Sequence, residues 1–125
     1  MSLLDYKDII DNKPVHIATV TPTGDPNLAV ASDVNVLDKD TLIISVNEMQ
    51  HTQQNLQHNP KVVITAFDPD WKGIRIFGTG EFHQEGEPYE YCKRTFFGKG
   101  EVSPFGATKP KGAIVIKVRK IADYR

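Results

Sequence analysis

The sequence predicts a mainly β fold, a six-stranded antiparallel barrel with three short helices, and three observations carry that expectation. Short β-branched runs recur at 15–20, 28–37, 42–46, 61–67, 74–83 and 112–121. Gly and Pro fall between these runs and not within one linker, so the 125 residues form one continuous domain, 1–125. The strands do not alternate with long helical segments, which argues for a barrel and against a layered βαβ fold.

Residues 3–10 place Leu3, Tyr6, Ile9 and Ile10 on one helical stripe, and Pro14 stops that helix before the first strand. The strand at 15–20 runs into Thr21-Pro22-Thr23-Gly24-Asp25-Pro26, whose Pro, Gly and Asp suit a turn, so 28–37 folds back as a hairpin partner. Asp38-Lys39-Asp40 is a second tight connection, into 42–46. Residues 52–58 make a short helix that Asn59-Pro60 ends. The run 61–67 is apolar on both faces, which predicts a strand covered on two sides. In 74–83, alternation turns Ile74, Ile76, Gly78, Gly80 and Phe82 to one side, and the two glycines suit a sharply coiled strand whose backbone is crowded. A helix at 88–97, a Gly-rich loop to Lys111 and a last strand at 112–121 complete the series.

The charge balance narrows the function. Fifteen Lys and Arg against 16 Asp and Glu give a net charge of −1, with 3 basic and 8 acidic groups in residues 1–60 and 12 and 8 in 61–125. A polyanion binder carries a clearly basic surface, so no nucleic-acid partner is expected, although a local pocket can still hold one or two phosphates. No apolar run approaches the ~20 residues of a membrane span. The lone Cys92 and an N-terminus without a basic, signal-like start predict a cytoplasmic protein with no membrane partner.

Several familiar motifs fail on context. Gly78-Thr79-Gly80 lies inside a strand with His83 where a dinucleotide fingerprint needs its third Gly, and Gly98-Lys99-Gly100 is not followed by Ser or Thr. His16, His51, His58 and His83 have no Cys or carboxylate at ligand spacing, so no metal site is expected, and no serine-nucleophile elbow is present. Cys92 is expected to be a buried, inert thiol.

Two features survive. At Gln50-His51-Thr52 the chain leaves a strand and enters a helix, where free backbone N–H groups, a hydroxyl and an imidazole can meet one phosphate. The competing arrangement has Thr52 capping its own helix and His51 in water. Upstream, Ala29-Val30-Ala31-Ser32 offers small side chains on one strand face, a shelf for a flat ring or simply the seat of a neighbouring strand or subunit. Together they describe a site for a planar cofactor with a single phosphate tail.

The chain resembles the flavin-binding split-barrel proteins related to pyridoxamine 5'-phosphate oxidase, in particular their short single-domain members. The likeness runs through Ile17-Ala18-Thr19-Val20 with Thr23-Gly24-Asp25-Pro26, then MQHTQQNL at 49–56, Asn59-Pro60-Lys61-Val62, Trp71-Lys72-Gly73-Ile74 with Gly78-Thr79-Gly80-Glu81, and Lys111-Gly112-Ala113. The resemblance implies a six-stranded antiparallel split barrel of the FMN-binding type and a homodimer with FMN at the subunit interface. It implies that Ala29, Val30, Ala31, Ser32 and Asp33 lie against the isoalloxazine ring, while Val46, Asn47, Met49, Gln50, His51 and Thr52 hold the ribityl and phosphate groups. Relatives often carry Lys or Arg where this chain has His51 or Thr52, and Lys72 or the Lys109–Lys111 segment is left to compensate. Phe105 in the late loop can cover the ring or merely pack the loop.

The implied activity is a small FMN-dependent oxidoreductase or electron carrier whose small-molecule or nicotinamide electron partner no motif specifies. Catalytic residues are not legible, because flavin chemistry resides in the cofactor. The chain ends at Arg125, just after its last strand, so pyridoxamine 5'-phosphate oxidation itself is not expected. The competing readings are a deazaflavin-dependent reductase of the same fold and a non-catalytic split-barrel dimer that has lost tight flavin binding.

Overall fold

The computed structural model describes residues 2–98, 106 and 108–123. A 3-10 turn at Leu3–Tyr6 leads into helix α1 (Lys7–Ile10), and then come β1 (Val15–Val20), β2 (Pro26–Ala31), β3 (Val34–Asp38) and β4 (Thr41–Val46). Helix α2 (Gln50–His58), β5 (Lys61–Phe67), β6 (Gly73–His83), α3 (Glu87–Phe97) and β7 (Gly112–Asp123) follow. The predicted loop after Gly98, with Phe105, lies mostly outside the described residues.

All seven strands join one antiparallel sheet in the order β2-β1-β5-β6-β7-β4-β3. Its two edge strands, β2 and β3, are consecutive in the chain and separated only by Ser32 and Asp33. The three Cα steps from Ala31 to Val34 span at most about 11 Å even when extended, so the sheet has to curl until its edges come close. This makes the sheet a split barrel. The sequence pattern at 28–37 suggests one strand, and the structure breaks it at Ser32 and Asp33 as it leaves β1 and joins β4. Six strands thus become seven, with the corner held by Ser45 N–H donating to the Asp33 carbonyl (2.9 Å).

The core follows the predicted alternation. Leu3, Ile10, Val15, Ile17, Leu42, Ile44, Ile64, Ile76, Ile114 and Ile116 have no solvent exposure. Gly78 sits at a register shift between β6 and β7, and a Cβ there would run into the Lys117 carbonyl oxygen. A Cβ on Gly80 would lie 3.1 Å from Ile116 Cδ1 and 3.2 Å from the Leu56 methyls, so the bare backbone at Gly80 is what lets α2 settle on the sheet. Asn55 Nδ2 donates to Thr19 Oγ1 (3.0 Å) and ties the same helix to β1, with both side chains buried.

Within the single chain, two-sided burial falls on β4, while the outer face of β5 is uncovered. Every residue of β4 is buried because α3 packs Cys92, Phe96 and Phe97 against Ile43 on the side away from the barrel core. On β5, Val62, Ile64 and Ala66 are buried, while Val63 and Thr65 are half-buried and Phe67 is exposed, since no helix covers that outer face. Cross-strand neighbours share a face, and the registers align Leu28, Ala18, Val63 and Phe77 in one outward row. Leu28 and Val30 are 67% and 57% exposed there. At the end of β5, Trp71 stacks on Phe67 with ring centroids 5.4 Å apart. No helix among the described residues is long and apolar enough to cross a membrane.

Candidate functional site

The two sheet edges differ, and the difference creates the site. The outer edge of β3 is closed by the N-terminal segment, where Asn12 N–H donates to the Val34 carbonyl (2.8 Å) and Val36 N–H to Asp11 Oδ1 (2.8 Å). No hydrogen bond from the described residues meets the outer edge of β2, so its free backbone groups remain available to a ligand. A cavity of about 260 Å³ runs along that edge. Six consecutive residues, 27–32, line it, although side chains of a strand alternate faces. That lining is possible only where the backbone itself forms the wall.

The predicted alanine shelf is therefore an edge and not a face. Ala31 is 4% exposed and turns into the core with Ala29 packed beside it, while Leu28 and Val30 turn outward. The opposite wall comes from the end of β4 and the start of α2, with Ser45, Asn47, Glu48, Met49, Gln50, His51 and Thr52. Asn47 is fixed in orientation: Ser45 Oγ donates to its Oδ1 (3.0 Å) and its Nδ2 donates to Asp33 Oδ2 (2.9 Å). Asp33 thus stands behind Asn47 and does not line the cavity. Val46 is 1% exposed and lines a second cavity, on the far side of Gln50, instead of the first. The other predicted residues, Ala29, Val30, Ala31, Ser32, Asn47, Met49, Gln50, His51 and Thr52, come together around the first cavity. Asn27, Leu28, Ser45 and Glu48 join them without a sequence signal of their own beyond adjacency.

The helix start shows that Thr52 is not the cap of its own helix. Helix α2 begins at Gln50 with Met49 as its N-cap and no side-chain capping bond, so Thr52 is the third helical residue and not the cap. The first intrahelical bond runs from Gln53 N–H to the Met49 carbonyl (3.1 Å), and the N–H groups of His51 and Thr52 precede it. Thr52 Oγ1 is buried without a hydrogen-bond partner, and the residue is 1% exposed. A buried hydroxyl left unpaired costs about 1–3 kcal/mol, and at the wall of the cavity the Thr52 hydroxyl is free to donate to a group placed there. His51 is exposed beside it. Free N–H groups at a helix start and an idle hydroxyl suit a phosphate. An open strand edge suits the polar rim of a flat ring. The donor set therefore fits FMN.

Cys92 lies outside this chemistry. Burial pushes its thiol up to about 12, with a hydrogen bond to Ser45 pulling it down and the Asp33 charge adding to the rise. It is a neutral packing group among Ile43, Phe96, Phe97 and Ala113. Lys72, one of the cations proposed to compensate at the phosphate turn, sits in the β5–β6 turn and lines neither cavity, whereas Lys109 and Lys111 line the second.

Known proteins share both sequence and fold. MJ0282 of Methanocaldococcus jannaschii is 36% identical over 118 residues, 93% of this chain and 76% of that protein. HupZ of Group A Streptococcus superposes with a TM-score of 0.85 at 30% identity, covering 99% of this chain and 94% of that chain. An FMN-binding protein of Syntrophomonas wolfei has the same fold, with a TM-score of 0.76 at 23% identity over 98% of this chain and 82% of its own. Residues 5–124 match the pyridoxamine 5'-phosphate oxidase family, and the chain belongs to that family of split-barrel proteins.

Proposed function

We propose that this chain is a cytoplasmic, homodimeric flavoprotein that binds one FMN per subunit along the β2 edge and serves as a small oxidoreductase or electron carrier. The observation that carries the reading is Thr52 Oγ1, buried and idle at the wall of the cavity. In this reading the phosphate takes the Thr52 hydroxyl and the N–H groups of His51 and Thr52. The ring's polar rim takes the free backbone groups of residues 28–32, and Asn47, held rigid by Ser45 and Asp33, orients the part between them. Bound FMN would supply one- or two-electron redox chemistry. The protein's part is to hold the ring with one face open to an electron partner and to shield the other.

The outward apolar row of Leu28, Val63 and Phe77, with Val30 beside it, supports the dimer, because Leu28 and Val30 belong both to that face and to the cavity rim. A second copy on this face would complete the flavin site. The FMN-binding relative of the same fold adds support. The test is to mix flavin-free protein with FMN and measure bound flavin per chain together with the mass by sedimentation. One FMN per chain on a dimer supports the reading. No uptake by a stable dimer favours the non-catalytic alternative, to which the missing Lys or Arg at 51 and 52 would then point, and preferential uptake of a deazaflavin would favour the reductase alternative.

A further inference from the structure

The charges around the two cavities are segregated. Glu48 and the titratable His51 are the ionisable groups among the described residues lining the first cavity, so its only fixed charge is negative. The second cavity, about 740 Å³, is lined by Gln50, Gln53, Gln54 and Gln84, and its ionic groups among the described residues are Lys109 and Lys111. Gln50 lines both cavities. Across this boundary Lys111 Nζ meets Glu48 Oε2 at 3.2 Å, with the two side chains 58% and 43% exposed. The backbone on both sides is anchored: Lys111 N–H donates to the Val46 carbonyl (2.7 Å), and Gln50 N–H donates to the Glu48 carbonyl (2.9 Å).

A carboxylate just before a helix start is attracted to the same N–H groups that a phosphate would use, and it repels a dianion placed there. An ion pair this exposed holds weakly, so its lysine exchanges partners at little cost. We propose that the Glu48–Lys111 pair sets the charge selectivity of the flavin site: Lys111 draws Glu48 aside and supplies to a phosphate monoester the cation that His51 and Thr52 lack. This inference rests on the flavin reading above; it selects Lys111 from the Lys109–Lys111 segment and gives Glu48, its ion-pair partner, a role in selectivity.

The test compares FMN with riboflavin, which lacks the phosphate, by fluorescence titration of flavin-free wild-type protein and of Lys111→Met, Glu48→Gln and Lys109→Met. Both members of the pair are half-exposed, and thermal melts check that each variant folds. Lys111→Met should weaken FMN about five- to tenfold while riboflavin changes less than about twofold, the scale of a charge-assisted contact discounted for solvent. Glu48→Gln should strengthen FMN about threefold by removing the repulsion, again sparing riboflavin. Lys109→Met removes the same charge from the second cavity without touching Glu48 and should change the FMN-to-riboflavin ratio by less than about twofold. An unchanged ratio in Lys111→Met, or an equal loss in Lys109→Met, would overturn the proposal while wild-type preference for FMN leaves the flavin reading intact. Wild-type protein that binds neither flavin would overturn both.

Discussion

Replacing Thr52 by Val separates ligand binding from folding, because the two effects have opposite signs. Valine keeps the branched shape and nearly the same helix propensity, and it removes only the hydroxyl. That hydroxyl is buried and has no partner in the protein. Relief of an unpaired buried polar group is worth about 1–3 kcal/mol, and the lower end is the conservative expectation. A gain of about 1 kcal/mol raises the melting temperature of a chain this size by about 3–5 °C. The same substitution removes one hydrogen bond to a phosphate, about 1.5–3 kcal/mol, or roughly ten- to hundredfold in FMN affinity. Thermal melts of flavin-free protein and FMN titrations of both forms read the two effects separately. A Thr52→Val variant that melts lower and binds FMN as before would refute the reasoning, because the hydroxyl would then be structural.

Gly80→Ala tests the seating of α2: its Cβ would press on Leu56 and Ile116 at 3.1–3.2 Å, so the variant should lose about 1–2 kcal/mol and bind FMN more weakly, and unchanged affinity would uncouple the helix from the site. Val30→Lys changes a residue 57% exposed in the single chain, so folding should survive while sedimentation shows a monomer with weakened FMN binding; a persistent dimer would remove this face from the interface. For Cys92, the folded thiol holds its proton up to about 12 against an ordinary value of 9.0. Because the unfolded chain ionises first, wild-type stability should fall more steeply than that of Cys92→Ala between those two pH values, and parallel pH profiles would contradict that burial.

Much of this was legible because it depends on local rules. The turn at 21–26 carries its Gly24 at φ +89°, and β5 starts and stops where the β-branched run does. The glycines of β6 declared a crowded strand, and the structure names their neighbours, the Lys117 carbonyl and Leu56. What local pattern does not encode is which strand a helix will cover. The apolar run 61–67 suggested a second surface over β5, but within the chain α3 covers β4, and the outer face of β5 is left for the partner copy of the proposed dimer. The break at Ser32 and Asp33 was invisible for a similar reason, since both of its halves are good strand and only barrel closure forces the corner. At the site, the turn at 50–52 announced itself by chain direction. That Thr52 lies inside the helix, that the alanines face inward, and that Glu48 pairs with Lys111 across 63 residues of chain are facts of three-dimensional placement.

The most direct test of the central claim is a fluorescence titration of flavin-free wild-type protein with FMN and with riboflavin under identical conditions. If the phosphate is held by Thr52 and the start of α2, FMN should bind at least about tenfold more tightly, the worth of one hydrogen bond to a charged group. Equal affinities would contradict the phosphate site, and binding of neither flavin would contradict the flavoprotein reading altogether.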